Sequence, residues 1–556
     1  MDALLTFRTV RHLWLSQLKW RLKYRRLRQR EEQPGYDLAG RLHGRTSGLA
    51  LDPTFPRPEI AAMRPEGTSS WHEGALTLLN EMRGFAGGDD WGLGRQQAKD
   101  RLWMATLHGH RWLLDLGADE QHRFLRDWIA VCRPGTPGFA NFAWNSYDIA
   151  TRLLCWACLP PDVLDASALE SFAAQAEYLD DHVEWDLRAN HLLRDAAGLA
   201  CAGRFLKGPA AERWLQAATA VADSQVDEQV LPDGGHFERS PMYHIHVMED
   251  LLRLWFLVRD EATRSKIQRA IGQMAEWIAW MRHPDGRFPQ FNDGGFNGAC
   301  DATGIIAVAV VSGTVSPAKR HGGRRFRDTG LVAWQGDPWT VFFDVGPIGP
   351  DYQPGHAHAD TLSLEASFAG HRLFIDPGSF SYDNDARRRY DRSTAAHNTV
   401  CIDDRDSSEV WHIFRVGRRA YPLDVRADFS ADGLFASAAH DGYSTLPGRP
   451  KHSRTVTVTG DRILKVTDLV EGQGSHALNG GWLLAPGWQA EAAPGGWRLS
   501  MEGARVSVHV NAPAGMALTA EKRACHPEYG LEIETTRLCW NLAASRLPAQ
   551  IVTVVE

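Results

Sequence analysis

From about Ser70 to Val311 the apolar residues recur every three or four positions, and beyond that they alternate with polar ones. In Lys266–Met281 the series Ile267, Ile271, Met274, Ile278 marks one face of an amphipathic helix. Leu192–Phe205 and Met248–Val258 carry the same period. Gly- and Pro-rich turns separate these runs. Two of them, Pro232-Asp233-Gly234 and Pro284-Asp285-Gly286, stand 52 residues apart. That interval holds two helices and their loops, one unit of a helical-hairpin array. Such an array closes into a toroid or stays an open solenoid, and the spacing is compatible with both. After a polar, basic run beginning at Ser312 the period drops to two. Val456 and Val458, the turn Gly460-Asp461, and Ile463-Leu464 predict a hairpin. Trp497–Val510, turning near Glu502-Gly503, predicts another, and Ile551–Val555 a last strand. Short strands joined by turns, without intervening helices, predict an antiparallel sandwich. The chain therefore divides into a basic N-terminal helix with an irregular lead-in (1–65), a helical domain (66–315) and a strand domain (316–556).

Chemistry concentrates near the start of the strand domain, between Tyr352 and Val400. His356, His358 and Asp360 are spaced by two, and the same parity continues through Leu362, Leu364, Ala366 and Phe368. In one extended strand they would share a face. Ala369-Gly370 then turns the chain, and His371–Asp376 returns as a second strand. Asp376 and His397 are expected to come back to the same end of the sheet as His358. Two imidazoles and a carboxylate suit zinc, with a fourth position open. Asp383 and the cluster Arg387–Arg389 with Arg392 lie close by. A histidine pair in a strand is commonly structural, so His-x-His alone is a weak signal; Asp376 and His397 strengthen it.

The helical half has two polar clusters where a plain helix would be apolar: Arg188-Ala-Asn190-His191, and Asp233 to His246, which includes Glu238, Tyr243 and His244. Taken singly, Asn190 reads as a helix N-cap and Tyr243-His244 as structural aromatics. Taken together, both clusters sit at loop-to-helix junctions of successive hairpins, which a toroid would bring to one rim.

Composition narrows the classes. At 556 residues with 44% hydrophobic and 23% charged residues, the chain reads as globular and multidomain. A net charge of −7 argues against a nucleic-acid partner while leaving room for a local basic cleft. The 21 tryptophans add weak support for a sugar ligand. Eight cysteines form no disulfide framework, and Cys155-x-x-Cys158 in an apolar run reads as buried thiols. No apolar run is long enough to span a membrane. The N-terminus lacks a conventional signal peptide, which reads as cytoplasmic, with the periplasm as the alternative. Its basic, Leu- and Trp-containing helix is expected to pack on the body of the protein; adsorption to a membrane surface is the lesser alternative.

Five motifs together carry a family resemblance: N-H-L-L (190–193), D-G-G-H-F-E-R-S-P-M-Y-H (233–244), G-H-A-H-A-D-T-L-S-L (355–364), D-P-G-S-F-S-Y (376–382) and R-S-T-A-A-H-N-T-V (392–400). They resemble the heparinase II/III superfamily of polysaccharide lyases, which includes heparin-sulfate lyases and oligoalginate lyases. The resemblance runs from about Ser70 to Glu556, and the strand-domain motifs are its specific part. It implies an α+β multidomain fold: an N-terminal (α/α) toroid of helical hairpins, then a C-terminal antiparallel β-sandwich, with the active site in the cleft between them. It implies a structural divalent metal, usually zinc, at His358, Asp376 and His397. It also implies that Asn190, His191, Tyr243 and His356 line the catalytic cleft, with Tyr382 or Tyr390 adding a hydroxyl. Glu238, His244, Arg388 and Arg392 join those two tyrosines as expected contacts to an anionic polysaccharide.

The implied reaction is β-elimination at a uronate. Asn190 and a protonated His191 would neutralise the carboxylate as the C5 proton leaves. Tyr243 would protonate the departing O4 and is also a candidate base, provided that His244, His191 or the arginines lower its pKa; His356 is the alternative base. Two rivals stand beside this reading. One is a glycoside hydrolase using carboxylates among Asp233, Glu238 and Asp293; the other is a polysaccharide-binding protein without activity.

Overall fold

The computed structural model describes residues 3–56, 69–93, 100–313, 320–431, 433–460 and 462–556. The expected domain boundaries after residues 65 and 315 lie outside the described residues.

Thirteen helices are found among the described residues. They are α1 (Ala3–Val10), α2 (Leu15–Glu31), α3 (Leu38–Arg45), α4 (Arg101–Gly109), α5 (Ala118–Val131), α6 (Ser146–Trp156), α7 (Ala166–Asp181), α8 (Asn190–Phe205), α9 (Pro209–Gln229), α10 (Pro241–Leu257), α11 (Glu261–Trp280), α12 (Ala302–Val311) and α13 (Ala386–Asp391). From α4 to α12 they form two layers. The even-numbered helices touch one another in succession as an inner ring, and α5, α7, α9 and α11 form the outer one. The array is an (α/α) toroid. Inner helices are packed on all sides, and α8 shows the sequence cost of that. A Cβ on Gly198 would stand 2.6 Å from the Ala150 backbone, and one on Gly203 2.6 Å from the Ala211 carbonyl. Only glycine admits such close approach. Helix starts are capped where the sequence supplies the oxygen: Ser240 accepts the Tyr243 N–H with Pro241 at the first helical position, and Asp260 and Asp301 cap α11 and α12.

Past residue 320 the regular structure is mainly antiparallel sheet. Strands β1 (Gly322–Phe326), β2 (Leu331–Gln335), β3 (Trp339–Asp344), β4 (Leu364–Phe368) and β5 (His371–Phe374) form a meander in sequence order. An eight-stranded and a four-stranded sheet follow, and their inward faces close a second core around Val456, Leu464, Trp482, Val508 and Ile551. Alternation along Lys451–Val458 is complete, and its inward His452 and Arg454 both bond Asp468, at 2.7 Å each. The toroid core does not stop at the domain edge; it runs on through Phe326, Phe342, Tyr382, Ile413 and Tyr529 of the sandwich.

The hairpin expected at Ala369-Gly370 is present, with His371 opposite Phe368. The strand expected to carry His356, His358 and Asp360 is not. Strand β4 begins only at Leu364, and residues 356–363 form a loop that turns at Leu362 (φ 67°), with the Ser363 N–H donating to Asp360 O at 2.7 Å. Alternating parity cannot pass through a left-handed residue. The loop is held from outside the meander instead, by the Arg454 guanidinium on the Leu362 carbonyl at 2.8 Å.

The N-terminal helices form a strap across both halves. On the sandwich side, Arg8 pairs with Glu409 (2.7 and 2.9 Å) and the Trp411 indole N–H donates to Thr9 Oγ1 (3.1 Å). On the toroid side, the inward face of α2 sets Gln17 on the Asp186 carbonyl (3.3 Å), Tyr24 on the Val183 carbonyl and Glu31 on His182 (3.2 Å). Trp14, between the two helices, stacks on Tyr352 with 4.1 Å between ring centroids and lies under Arg188.

Candidate active site

A cavity of about 490 Å³ opens where the toroid meets the sandwich. Toroid helices contribute Asn190, His191, Tyr243 and His246, and the sandwich contributes His356, Tyr382, Phe414 and Tyr529. The ring of Tyr243 stacks on that of His356, 3.7 Å between centroids and 24° between planes.

Each group is held for a physical reason. Asn190 is the first residue of α8 rather than its cap. Arg188 and Ala189 before it both have positive φ (66° and 55°), and the buried Asn190 Oδ1 has no hydrogen-bond partner among the described residues. Non-glycine residues in that region carry backbone strain. His191 Nδ1 lies 2.7 Å from Glu184 Oε2. Burial alone would pull this imidazole down, but the charge and hydrogen bond of Glu184 outweigh it and its pKa rises. Tyr243 begins a chain of phenols, 2.8 Å to the Tyr382 hydroxyl and 2.7 Å on to that of Tyr529. Burial first, then the neighbouring Tyr529 and Asp293, push the Tyr243 pKa well above its ordinary value. The expected cationic lowering is therefore absent, and Tyr243 rests as a neutral proton donor.

His356 Nδ1 faces Asp293 Oδ2 at 3.0 Å. A carboxylate only accepts, so Nδ1 carries the proton and Nε2 keeps its lone pair. Asp293 is the hub that sequence reasoning named only as a hydrolase carboxylate. It also receives His358 Nε2 at 2.8 Å and a two-pronged contact from Arg388, one prong at 2.8 Å. Burial opposes its charge, yet Arg388 and the two imidazoles hold the carboxyl well below the usual range. Tyr529 and Glu184 were missed as well. Neither stands in a motif, and no spacing rule connects either to residues hundreds or even seven positions away across a loop.

Several expected substrate contacts lie elsewhere. His244 stacks on Trp277 (4.4 Å) and bonds the Met274 carbonyl, on the side of α10 that faces α11. Glu238 is buried behind the site, protonated by burial with its pKa pushed up to about 8, and does not line the cavity. Arg388 is committed to Asp293, and Arg392 to the carbonyls of Ala357 (3.0 and 3.1 Å) and His412 (2.9 Å). Tyr390 has a buried hydroxyl away from the cavity. Of the second group of expected contacts, only Tyr382 borders it. The hydrolase carboxylates are no better placed. Asp233 caps the Asp328-Thr329 turn (2.8 and 2.7 Å), and neither it, Glu238 nor Asp293 lines the cavity.

Behind His356, one donor atom each from His358, Asp376 and His397 lies within 4.8 Å of the others, all three residues buried. His397 Nδ1 contacts Asp376 Oδ2 at 2.7 Å, while His397 Nε2 and His358 Nδ1 are buried without a hydrogen-bond partner among the described residues. Two orphaned imidazole nitrogens beside a carboxylate are the donor set of a nitrogen- and oxygen-liganded divalent metal. The residues fit the group.

The family model described as Heparinase II/III N-terminus matches residues 120–300, and Heparinase II/III-like, C-terminal, matches 318–553. The chain belongs to the heparinase II/III family of polysaccharide lyases. Among curated relatives in the comparison, it is 26% identical over 432 residues to FtsZ-localized protein C of Caulobacter vibrioides, covering 72% of this chain and 70% of that one. It is 20% identical over 508 residues to a heparin-sulfate lyase of Bacteroides stercoris, covering 80% and 73%. The crystal structure of heparinase III has the same fold, at 16% identity with a TM-score of 0.68 over 98% of this chain and 92% of the other.

Proposed function

We propose that this family member cleaves a uronate-containing, anionic polysaccharide by β-elimination, with Tyr243 as acid and His356 as base. The observation that carries the reading is the stack of Tyr243 on His356 in one cavity with Asn190 and His191. The uronate carboxylate lies against the Asn190 amide and the His191 imidazolium, which stabilise the charge that develops as the C5 proton leaves. His356 Nε2 takes that proton, with Asp293 fixing its tautomer. The C5–H electrons form the C4=C5 double bond as C4–O4 breaks, and Tyr243 protonates O4. Tyr382 and Tyr529 then stand in line to reload Tyr243. The raised pKa of Tyr243 supports acid over base duty.

His358, Asp376 and His397 would hold a divalent metal, zinc by donor type, whose charge would brace the loop that carries His356. Arg101 and Arg111 also border the cavity, and neither guanidinium has an acidic ion-pair partner among the described residues. They favour a substrate with negative charge beyond the reacting uronate. The test is a screen of heparan sulfate, hyaluronan, chondroitin, alginate and bacterial exopolysaccharides for the ultraviolet absorbance of the new C4=C5 bond. Release of reducing ends without that absorbance would mean hydrolysis and end the proposal.

A further inference from the structure

The N-terminal strap has a second face. The inward stripe of α2, at Gln17, Trp20, Tyr24 and Glu31, is occupied by the toroid, as described above. The outward side chains stand largely open to water. On α1, Leu4 and Phe7 are 66% and 64% exposed, and Val10 continues the same ridge. On α2, Leu15 and Leu22 are 77% and 56% exposed. Among the described residues fourteen large apolar side chains stand open to water, and six of them fall between Leu4 and Leu22. Their neighbours are cations. Ala3–Glu31 carries nine Arg and Lys against one acid, Glu31, in a chain whose net charge is −7. Glu31 is buried on His182. Lys19, Arg21, Arg25, Arg26 and Arg28 have no carboxylate within ion-pair distance among the described residues. No described helix is long and apolar enough to cross a bilayer.

We propose that the outward faces of α1 and α2 dock the protein on an anionic lipid surface. Short helices with leucine and phenylalanine standing between arginines match the depth profile of a bilayer edge, where side chains enter the acyl boundary and guanidinium groups stay among the headgroup phosphates. A soluble polyanion would use the arginines and leave Leu4, Phe7 and Leu15 in water. The exposed apolar ridge is what favours lipid. The inward contacts hold both helices in shape before docking, so no folding cost opposes it.

The experiment is co-sedimentation of the full chain with vesicles of phosphatidylcholine, with and without phosphatidylglycerol. Binding is expected only with phosphatidylglycerol, weakening as salt is raised. Each cation near an anionic surface contributes a factor of about fivefold. The double variant Arg25→Glu, Arg26→Glu is therefore expected to lose at least about tenfold in partitioning. Phe7→Glu with Leu15→Glu should lose a comparable factor, while Arg25→Lys with Arg26→Lys and Phe7→Leu keep binding, which separates docking from misfolding. Equal sedimentation with neutral vesicles, or none with anionic ones, overturns the proposal. So does retention on soluble heparin through Arg25 and Arg26 by a chain that leaves anionic vesicles free. Lyase turnover on a soluble substrate should be unchanged in all four variants, so failure here is distinct from failure of the catalytic reading.

Discussion

The phenol of Tyr243, on toroid helix α10, lies flat against the imidazole of His356, on a sandwich loop, with 3.7 Å between ring centroids. Tyr243→Phe keeps that stack and removes only the hydroxyl. Turnover is expected to fall by about a thousandfold, the scale of a lost acid catalyst, with substrate affinity measured calorimetrically within about twofold of the parent. Loss of affinity with retained turnover would assign Tyr243 to binding instead.

Asp293→Asn tests the hub. The change leaves Arg388 buried beside a neutral amide and leaves one acceptor oxygen where His356, His358 and Arg388 share two. Stripping the partner from a buried ion costs about 3–5 kcal/mol, read as a shift in the urea unfolding midpoint. Turnover should fall as well, since an amide, with a donor in place of one oxygen and no charge, no longer fixes the His356 proton on Nδ1 as the carboxylate does.

His191 gives the pH dependence. Its pKa is raised, so the imidazolium survives to higher pH than an ordinary histidine and is lost as pH rises through that value. The alkaline limb of kcat/KM should follow this loss, and Glu184→Gln should move the limb to lower pH. The same sign holds for stability. The pairing contributes fully below the unfolded histidine value and fades as pH climbs through the raised one. A limb unmoved by Glu184→Gln would separate His191 from the pH profile.

Chelation tests the donor cluster without relying on activity. Elemental analysis of purified protein is expected to find one divalent ion per chain. Its removal, or His397→Ala, should lower Tm by more than about 2 °C. No bound ion and an unchanged Tm would leave His358 and His397 as plain core residues.

Much of the architecture could be read in the chain because it rests on periodicity. Ile267, Ile271, Met274 and Ile278 are all buried on α11, and the Trp497–Val510 hairpin is where alternation put it. The site was legible by residue type and less so by geometry. His356 reaches the cavity and His358 the donor cluster from a loop, because Leu362 breaks the parity that would have aligned them on a strand. His244 follows Tyr243 in sequence, yet a helix turns adjacent residues about 100° apart, which sends one into the cavity and the other onto Trp277. Asp293 stands alone between turns, and its meaning comes from His356, His358 and Arg388, which lie 63 to 95 positions further on.

The line of hydrogen-bonded phenols is divided along the chain. Tyr243 comes from the first half of the chain, Tyr382 and Tyr529 from widely separated parts of the second. Neither half made alone would hold the whole of the proposed centre, however well it folded. Two inert fragments divided between α12 and β1 should regain chemistry only on reassembly, which makes this protein a natural reporter for bringing two polypeptides together.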